Sequence, residues 1–195
     1  GNLTAKEGGN IKVTGGFLSF GGDVDVSGTV AGKIDFDGTS EISLGGNLNA
    51  SSGVNTGGNI NVQSDYKIVQ TYGSTINTSG HTSGGDVFLS APNIMSSGTI
   101  SSKGNQQGGY IDIESEGYIR LLSSNINVAG NTQGGLVRIG GEFQGNNNLT
   151  RTEEQQDVFV DRWGERRSLT NAKTVLVSDG SRIDISSSNG KAGTA

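Results

Sequence analysis

Cysteine is absent from the 195 residues, and proline, methionine, histidine and tryptophan occur once each. Without thiols there is neither a disulfide nor a thiolate metal site to brace the fold, so packing alone must hold it. A single proline, Pro92, beside 34 glycines excludes collagen, in which proline is abundant and glycine recurs at every third position. Bulk hydrophobicity is also scarce: at 31% apolar residues one large round core is not expected. No apolar run is long enough to span a bilayer, and residues 1–13 lack the basic-then-apolar order of a signal peptide, so the chain reads as an internal piece of a longer protein. The net charge of −5, with the few Lys and Arg scattered, argues against a surface that tracks nucleic-acid phosphates. An acidic, cysteine-free chain rich in Gly, Asn, Ser and Thr suits an extracellular setting.

What the chain does have is a repeat. A glycine pair followed by x-apolar-x-apolar appears as Gly8-Gly9-Asn10-Ile11-Lys12-Val13 and returns as Gly57-Gly58-Asn59-Ile60-Asn61-Val62. It comes again as Gly84-Gly85-Asp86-Val87-Phe88-Leu89, Gly108-Gly109-Tyr110-Ile111-Asp112-Ile113 and Gly134-Gly135-Leu136-Val137-Arg138-Ile139, with Ala31-Gly32-Lys33-Ile34-Asp35-Phe36 between the first two. The starts at 8, 31, 57, 84, 108 and 134 are separated by 23, 26, 27, 24 and 26 residues. Each unit carries two further short strand patterns. The second falls at 17–20, 41–44, 66–69, 93–95, 118–121 and, in the last unit, 142–144; the third at 24–26, 48–50, 76–78, 100–102, 126–128 and 183–185.

Within every strand apolar residues alternate with polar ones, so one set points inward and the other outward. A unit of this length cannot bury its own apolar face, but copies stacked at the strand spacing of about 4.8 Å bury a continuous column. The predicted fold is therefore all-β: a right-handed parallel β-helix of about six three-strand coils, each 23–27 residues long. The predicted interior columns are Ile11, Ile34, Ile60, Val87, Ile111, Val137; Val13, Phe36, Val62, Leu89, Ile113, Ile139; and Val24, Leu48, Ile76, Ile100, Ile126, Ile183. The glycine pairs are expected at corners, supplying positive-φ bends and close approach of neighbouring turns. Outward, Lys12 with Asp35 and Asp112 with Arg138 fall on adjacent coils as exposed pairs worth about 0 to 1 kcal/mol each.

Residues 1–195 thus form one β-helix segment, interrupted in its last coil by a charged loop or hairpin at 146–173. That stretch holds Arg151, Glu153, Glu154, Asp157, Asp161, Arg162, Glu165, Arg166 and Arg167 around Trp163. Val158 and Val160 alternate like a hairpin arm, and an excursion from a β-helix corner is a usual place for a lateral loop.

The run Gly134-Gly135-Leu136-Val137-Arg138-Ile139-Gly140-Gly141-Glu142-Phe143-Gln144-Gly145, with Asn171-Ala172-Lys173-Thr174-Val175-Leu176-Val177 and Ile183-Asp184-Ile185-Ser186, resembles the shaft repeats of filamentous-haemagglutinin-like exoproteins exported by two-partner secretion. The dense match covers residues 134–190, and the looser glycine-pair pattern covers nearly the whole chain. The resemblance implies a β-helical filament at the bacterial cell surface, carried out through an outer-membrane transporter and used for attachment or biofilm. The family's Asn-Pro-Asn-Gly type export signature is absent.

The expected activity is non-enzymatic: a structural and adhesive segment with no cofactor and no metal site, meeting a glycan or protein receptor on a host or neighbouring cell and further coils end to end. The alternative is a β-helical polysaccharide lyase or glycoside hydrolase, because Asp23/Asp25, Asp35/Asp37 and Asp112/Glu114 project side by side from strand faces. An acid and a base emerge from such a pair only where the environments drive the two pKa values apart, which open strand faces rarely do. His81 is alone in its loop and has no ligand cluster around it. No Gly-x-Ser-x-Gly elbow and no recurring Gly-Gly-x-Gly-x-Asp calcium repeat is present. The predicted binding residues are Trp163, Arg162, Arg166 and Arg167, since aromatic and arginine side chains are favoured anchors at binding surfaces. The alternative for this cluster is that Trp163 packs down onto the rod while the charges solvate the loop.

Overall fold

Stacking of the repeat is what the computed structural model, which describes residues 1–141 and 159–195, places at the centre of the architecture. Three strands per coil build three parallel sheets of seven, six and six strands. The first face runs β2 (Asn10–Gly15), β5 (Lys33–Gly38), β8 (Asn59–Ser64), β11 (Asp86–Ser90), β14 (Tyr110–Glu114) and β17 (Leu136–Ile139). The second runs β3 (Leu18–Phe20), β6 (Glu41–Leu44), β9 (Lys67–Gln70), β12 (Asn93–Ser96), β15 (Tyr118–Leu121) and β18 (Thr174–Val177). The third runs β1 (Leu3–Thr4), β4 (Val24–Asp25), β7 (Asn47–Asn49), β10 (Thr75–Asn77), β13 (Thr99–Ser101), β16 (Asn125–Asn127) and β19 (Arg182–Asp184).

The pairing register joins all three expected columns without a slip. Ile11 pairs with Ile34, Ile34 with Ile60, Ile60 with Val87, Val87 with Ile111 and Ile111 with Val137. The Val13 column follows on the same strands, and Val24 runs through Leu48, Ile76, Ile100 and Ile126 to Ile183. Side chains in the middle of these columns are buried, and each contributes about 1.5–3 kcal/mol of transfer free energy. The second face adds two more columns: Leu18, Ile42, Ile68, Ile94, Ile119, Val175, and Phe20, Leu44, Gln70, Ser96, Leu121, Val177. Phe20 stacks on Phe36 across the interior with ring centroids 4.1 Å apart and 8° between planes.

Two polar residues sit in the middle of that last column, and they satisfy each other. The Ser96 hydroxyl donates to Gln70 Oε1 at 2.7 Å, and Gln70 Nε2 donates to the Thr99 carbonyl at 3.1 Å. The Ser124 hydroxyl, 2.9 Å from that of Ser96, donates to the Gly98 carbonyl at 3.2 Å. Such a chain avoids the cost of an unpaired buried group.

The corner glycines are required for space rather than for unusual φ, which corrects part of the expectation. Positive φ occurs at Gly8, Gly73, Gly140, Gly141, Gly164 and Gly180, and the pairs at 57–58, 84–85, 108–109 and 134–135 are outside that set. A Cβ on Gly85 would lie 1.9 Å from the Gly58 carbonyl oxygen, and one on Gly109 would lie 2.2 Å from that of Gly85. At the same corners Gly85 N–H donates to the Thr78 carbonyl, Gly109 N–H to Ser102 and Gly135 N–H to Val128, each at 2.8 Å. The second glycine of the pair thus lets backbone meet backbone both along the stack and across the coil.

Two expectations about the last unit change. The second strand expected at 142–144 lies outside the described residues, and the place beside Tyr118–Leu121 is taken by β18. In that register Val175 and Val177 continue the inward columns, two apolar residues that Glu142, Phe143 and Gln144 could not have supplied in alternation. Of the expected hairpin arm, Val158 is outside the described residues, while 159–163 form a single helical turn. Phe159 and Trp163, four apart, share one face of it. Gly164, at φ 73°, ends it by donating to the Val160 carbonyl at 2.8 Å.

Candidate functional site

Outward side chains of the first face change character along the rod. One column runs Lys12, Asp35, Asn61, Phe88, Asp112, Arg138 and the next Asn10, Lys33, Asn59, Asp86, Tyr110, Leu136. In the early coils these residues are exposed or half-buried; from β11 onward Phe88, Asp112, Leu136 and Arg138 are buried although they point away from the core. The described part of the insertion, residues 159–173, lies against Phe88, Asp112 and Arg138.

The cover is built from arginines laid on rings. Arg162 lies over Trp163 at 4.6 Å, Arg166 over Tyr110 at 4.0 Å and Arg167 over Phe88 at 3.8 Å. Trp163 meets Tyr110 edge-on, centroids 6.1 Å apart at 82°. Contacts of this kind contribute about 0.5–2 kcal/mol each, more where water is excluded. Beneath them Arg138 grips Asp112 with two parallel bonds, Nε to Oδ1 and Nη2 to Oδ2, both 2.8 Å. Arg166 Nη2 reaches Asp86 at 3.3 Å and Asp112 at 3.5 Å. The backbone is pinned as well: Arg138 Nη1 donates to the Arg167 carbonyl at 2.9 Å, Thr170 N–H donates to Glu114 at 3.2 Å, and Arg162 Nη2 donates to the Ala192 carbonyl.

This arrangement corrects the exposed-pair expectation for Asp112 and Arg138, whose side chains are only 3% and 7% exposed. Lys33, not Lys12, meets Asp35, at 2.9 Å. The four predicted binding residues do come together, but Trp163 is 4% exposed and faces the shaft, so it is no exposed anchor. Packing onto the rod, the alternative weighed for it, describes its position. The sequence signal that points here is the outward columns themselves: Phe88, Tyr110 and Leu136 stand where the earlier coils carry Asn, Asp or Lys, which marks a strand face that is covered.

Beside the cover lies an open cleft of about 510 Å³, floored by Lys33, Asn59, Asn61 and Gln63 and walled by Asp86, Phe88, Glu165, Arg166 and Arg167. Burial raises the Asp86 carboxyl pKa, with Arg166 opposing, and burial likewise raises that of the Tyr110 hydroxyl.

Of the carboxylates considered for catalysis, all but the exposed Asp37 are engaged in structure. Asp23 accepts from Asn47 at 2.8 Å; Asp25 accepts from Ser27 N–H at 3.0 Å and Asn49 at 3.1 Å. Burial pushes the Asp25 carboxyl up, but the Ser27 hydrogen bonds and Lys6 outweigh it and the net pKa is lowered. Asp35 accepts from Lys33 and Asn61, and Asp112 and Glu114 hold the insertion. His81 sits at an exposed corner with Nδ1 3.1 Å from the Asn105 amide. Among the described residues no group of three His, Cys, Asp or Glu is placed to hold a metal ion, and no helix is long and apolar enough to cross a membrane. Comparison of the chain with protein-family models, with curated proteins and with solved structures finds no match.

Proposed function

We propose that this chain is a structural and adhesive segment of a secreted or cell-surface bacterial filament, a shaft that carries an attachment surface and serves in adhesion or biofilm formation. The observation that carries the reading is the unbroken run of stacked columns from β2 to β17 with polar side chains tied coil to coil outside it. Asn49 donates to Asp25 and Asn77 to Asn49, each at 3.1 Å, so amides and carboxylates brace the stack. A cysteine-free shaft with this bracing is suited to unfolded export through an outer-membrane transporter and folding outside the cell, as the resemblance of residues 134–190 to two-partner-secretion exoproteins implies. Further coils are the natural end-to-end partners, since the inward Val175 and Val177 of β18 stay 41% and 49% exposed.

The test has two arms. The segment, immobilised on beads, is expected to retain glycan-coated or cell surfaces, and in solution to leave acidic and neutral polysaccharides uncleaved over hours. Turnover that disappears in Asp35→Asn, Asp112→Asn or Glu114→Gln would replace the adhesive reading with a polysaccharide lyase or hydrolase.

A further inference from the structure

The cleft beside the insertion contains a pre-positioned guanidinium that makes no close ion pair among the described residues, although its charge acts on Asp86 and Glu165 also lines the cleft. Arg167 is held at its backbone by Arg138 and at its side chain by the face of Phe88, yet among the described residues no carboxylate lies within ion-pair distance of it. Arg166, its neighbour, is occupied by Asp86 and Asp112, and Lys33 by Asp35. A planar guanidinium stacked on a ring keeps its N–H donors in the plane, the geometry that takes a carboxylate through two bonds. Across the cleft Asn59 is exposed, and Gln63 uses Nε2 on Asn61, which leaves its carbonyl oxygen as an acceptor. Among the described residues, a guanidinium without a close carboxylate opposite spare amide donors and acceptors matches a ligand with one carboxylate amid hydroxyls, and about 510 Å³ falls within the range of about 300–1,000 Å³ typical of small-ligand sites. The strands of the floor are paired on both sides, which removes strand addition as a way to hold a peptide.

We infer that this cleft binds a carboxylated saccharide, with Arg167 taking the carboxylate and Asn59 and Gln63 the ring hydroxyls. This assignment rests on the adhesive reading and gives it a ligand class. It is tested by isothermal titration of the 195-residue segment with trigalacturonate, its methyl-esterified form, sialyllactose and triglutamate. Binding of trigalacturonate or sialyllactose is expected, weakened by salt, with loss of about tenfold or more in Arg167→Gln, a smaller loss in Asn59→Ala and none in the remote Lys103→Gln. Methyl esterification is expected to weaken binding by a similar factor. Trp163 emission identifies whether Arg167→Gln has detached the insertion; Asn59→Ala, on the shaft strand that floors the cleft, reads the cleft independently. Binding of neither saccharide, affinity unchanged in both cleft variants, or equal binding of triglutamate overturns the assignment. Retention of glycan-coated surfaces that survives both cleft substitutions overturns the cleft alone and leaves the shaft reading standing.

Discussion

A glycine at a β-helix corner is judged by what its missing side chain would strike. Gly109 has the Gly85 carbonyl oxygen 2.2 Å from where a Cβ would sit, whereas Gly53 has nothing within 4 Å and no positive φ. Gly109→Val is expected to lower stability in urea unfolding by about 1–3 kcal/mol, as overpacking does, and Gly53→Ala to be near neutral. Asp112 poses the opposite problem, a buried charge whose partner makes it tolerable. Asp112→Asn removes the negative charge that faces the buried Arg138 guanidinium and is expected to cost about 3–5 kcal/mol, while replacing both, Asp112→Leu with Arg138→Met, is expected to recover most of that in the same assay. The carboxylates divide by environment. Ser186 hydrogen bonds and then Arg182 hold Asp184 below the ordinary carboxylate range, and Asp25 is lowered despite burial. A depressed folded-state pKa adds stability above the unfolded value and loses it as pH falls through the folded one, so both favour folding at neutral pH and stop doing so in strong acid. Asp86, raised by burial, works the other way, its contribution improving as pH falls. Carboxyl NMR titration is expected to order the midpoints with Asp25 and Asp184 below the ordinary value and Asp86 above it.

Strands were legible from sequence because a period of two admits few alternatives. Ile60, Val87 and Ile111 stand at the same place after each glycine pair, and one register aligns them. The Phe20 column was harder, since Gln70 and Ser96 interrupt its apolar pattern and only their mutual hydrogen bond makes them interior residues. At the insertion, Val158 and Val160 support alternation while Phe159 and Trp163 support spacing by four, and local pattern does not decide between them. The docking of residues 159–173 is a tertiary event, legible only in Phe88 and Tyr110 at outward positions. It has a spectroscopic consequence: Trp163, the sole tryptophan, reports the insertion alone. Tyr110→Ala is expected to shift its emission to the red at a denaturant concentration where far-UV circular dichroism still reports an intact shaft. Coincident transitions would mean that the insertion and the shaft unfold as one unit.

At the scale of the molecule, each coil touches its neighbours above and below, and stability is approximately a sum of coil and interface contributions. No coil buries its own apolar face, so the fold is a property of the stack. The proposed function follows from the same fact, because a rod of repeated units can place an attachment cleft on its side without disturbing the columns that hold it. Register between adjacent coils is therefore the quantity to measure. The chain has no cysteine of its own, so introduced pairs report without background. Thr75 and Thr99 are direct partners on neighbouring coils, while Asn125 is one coil further from Thr75, at about 9–10 Å by strand spacing and beyond disulfide reach. Thr75→Cys with Thr99→Cys is expected to close into an intramolecular disulfide under mild oxidation, and Thr75→Cys with Asn125→Cys to remain reduced; ready closure of the second pair and not the first would contradict the stacked register.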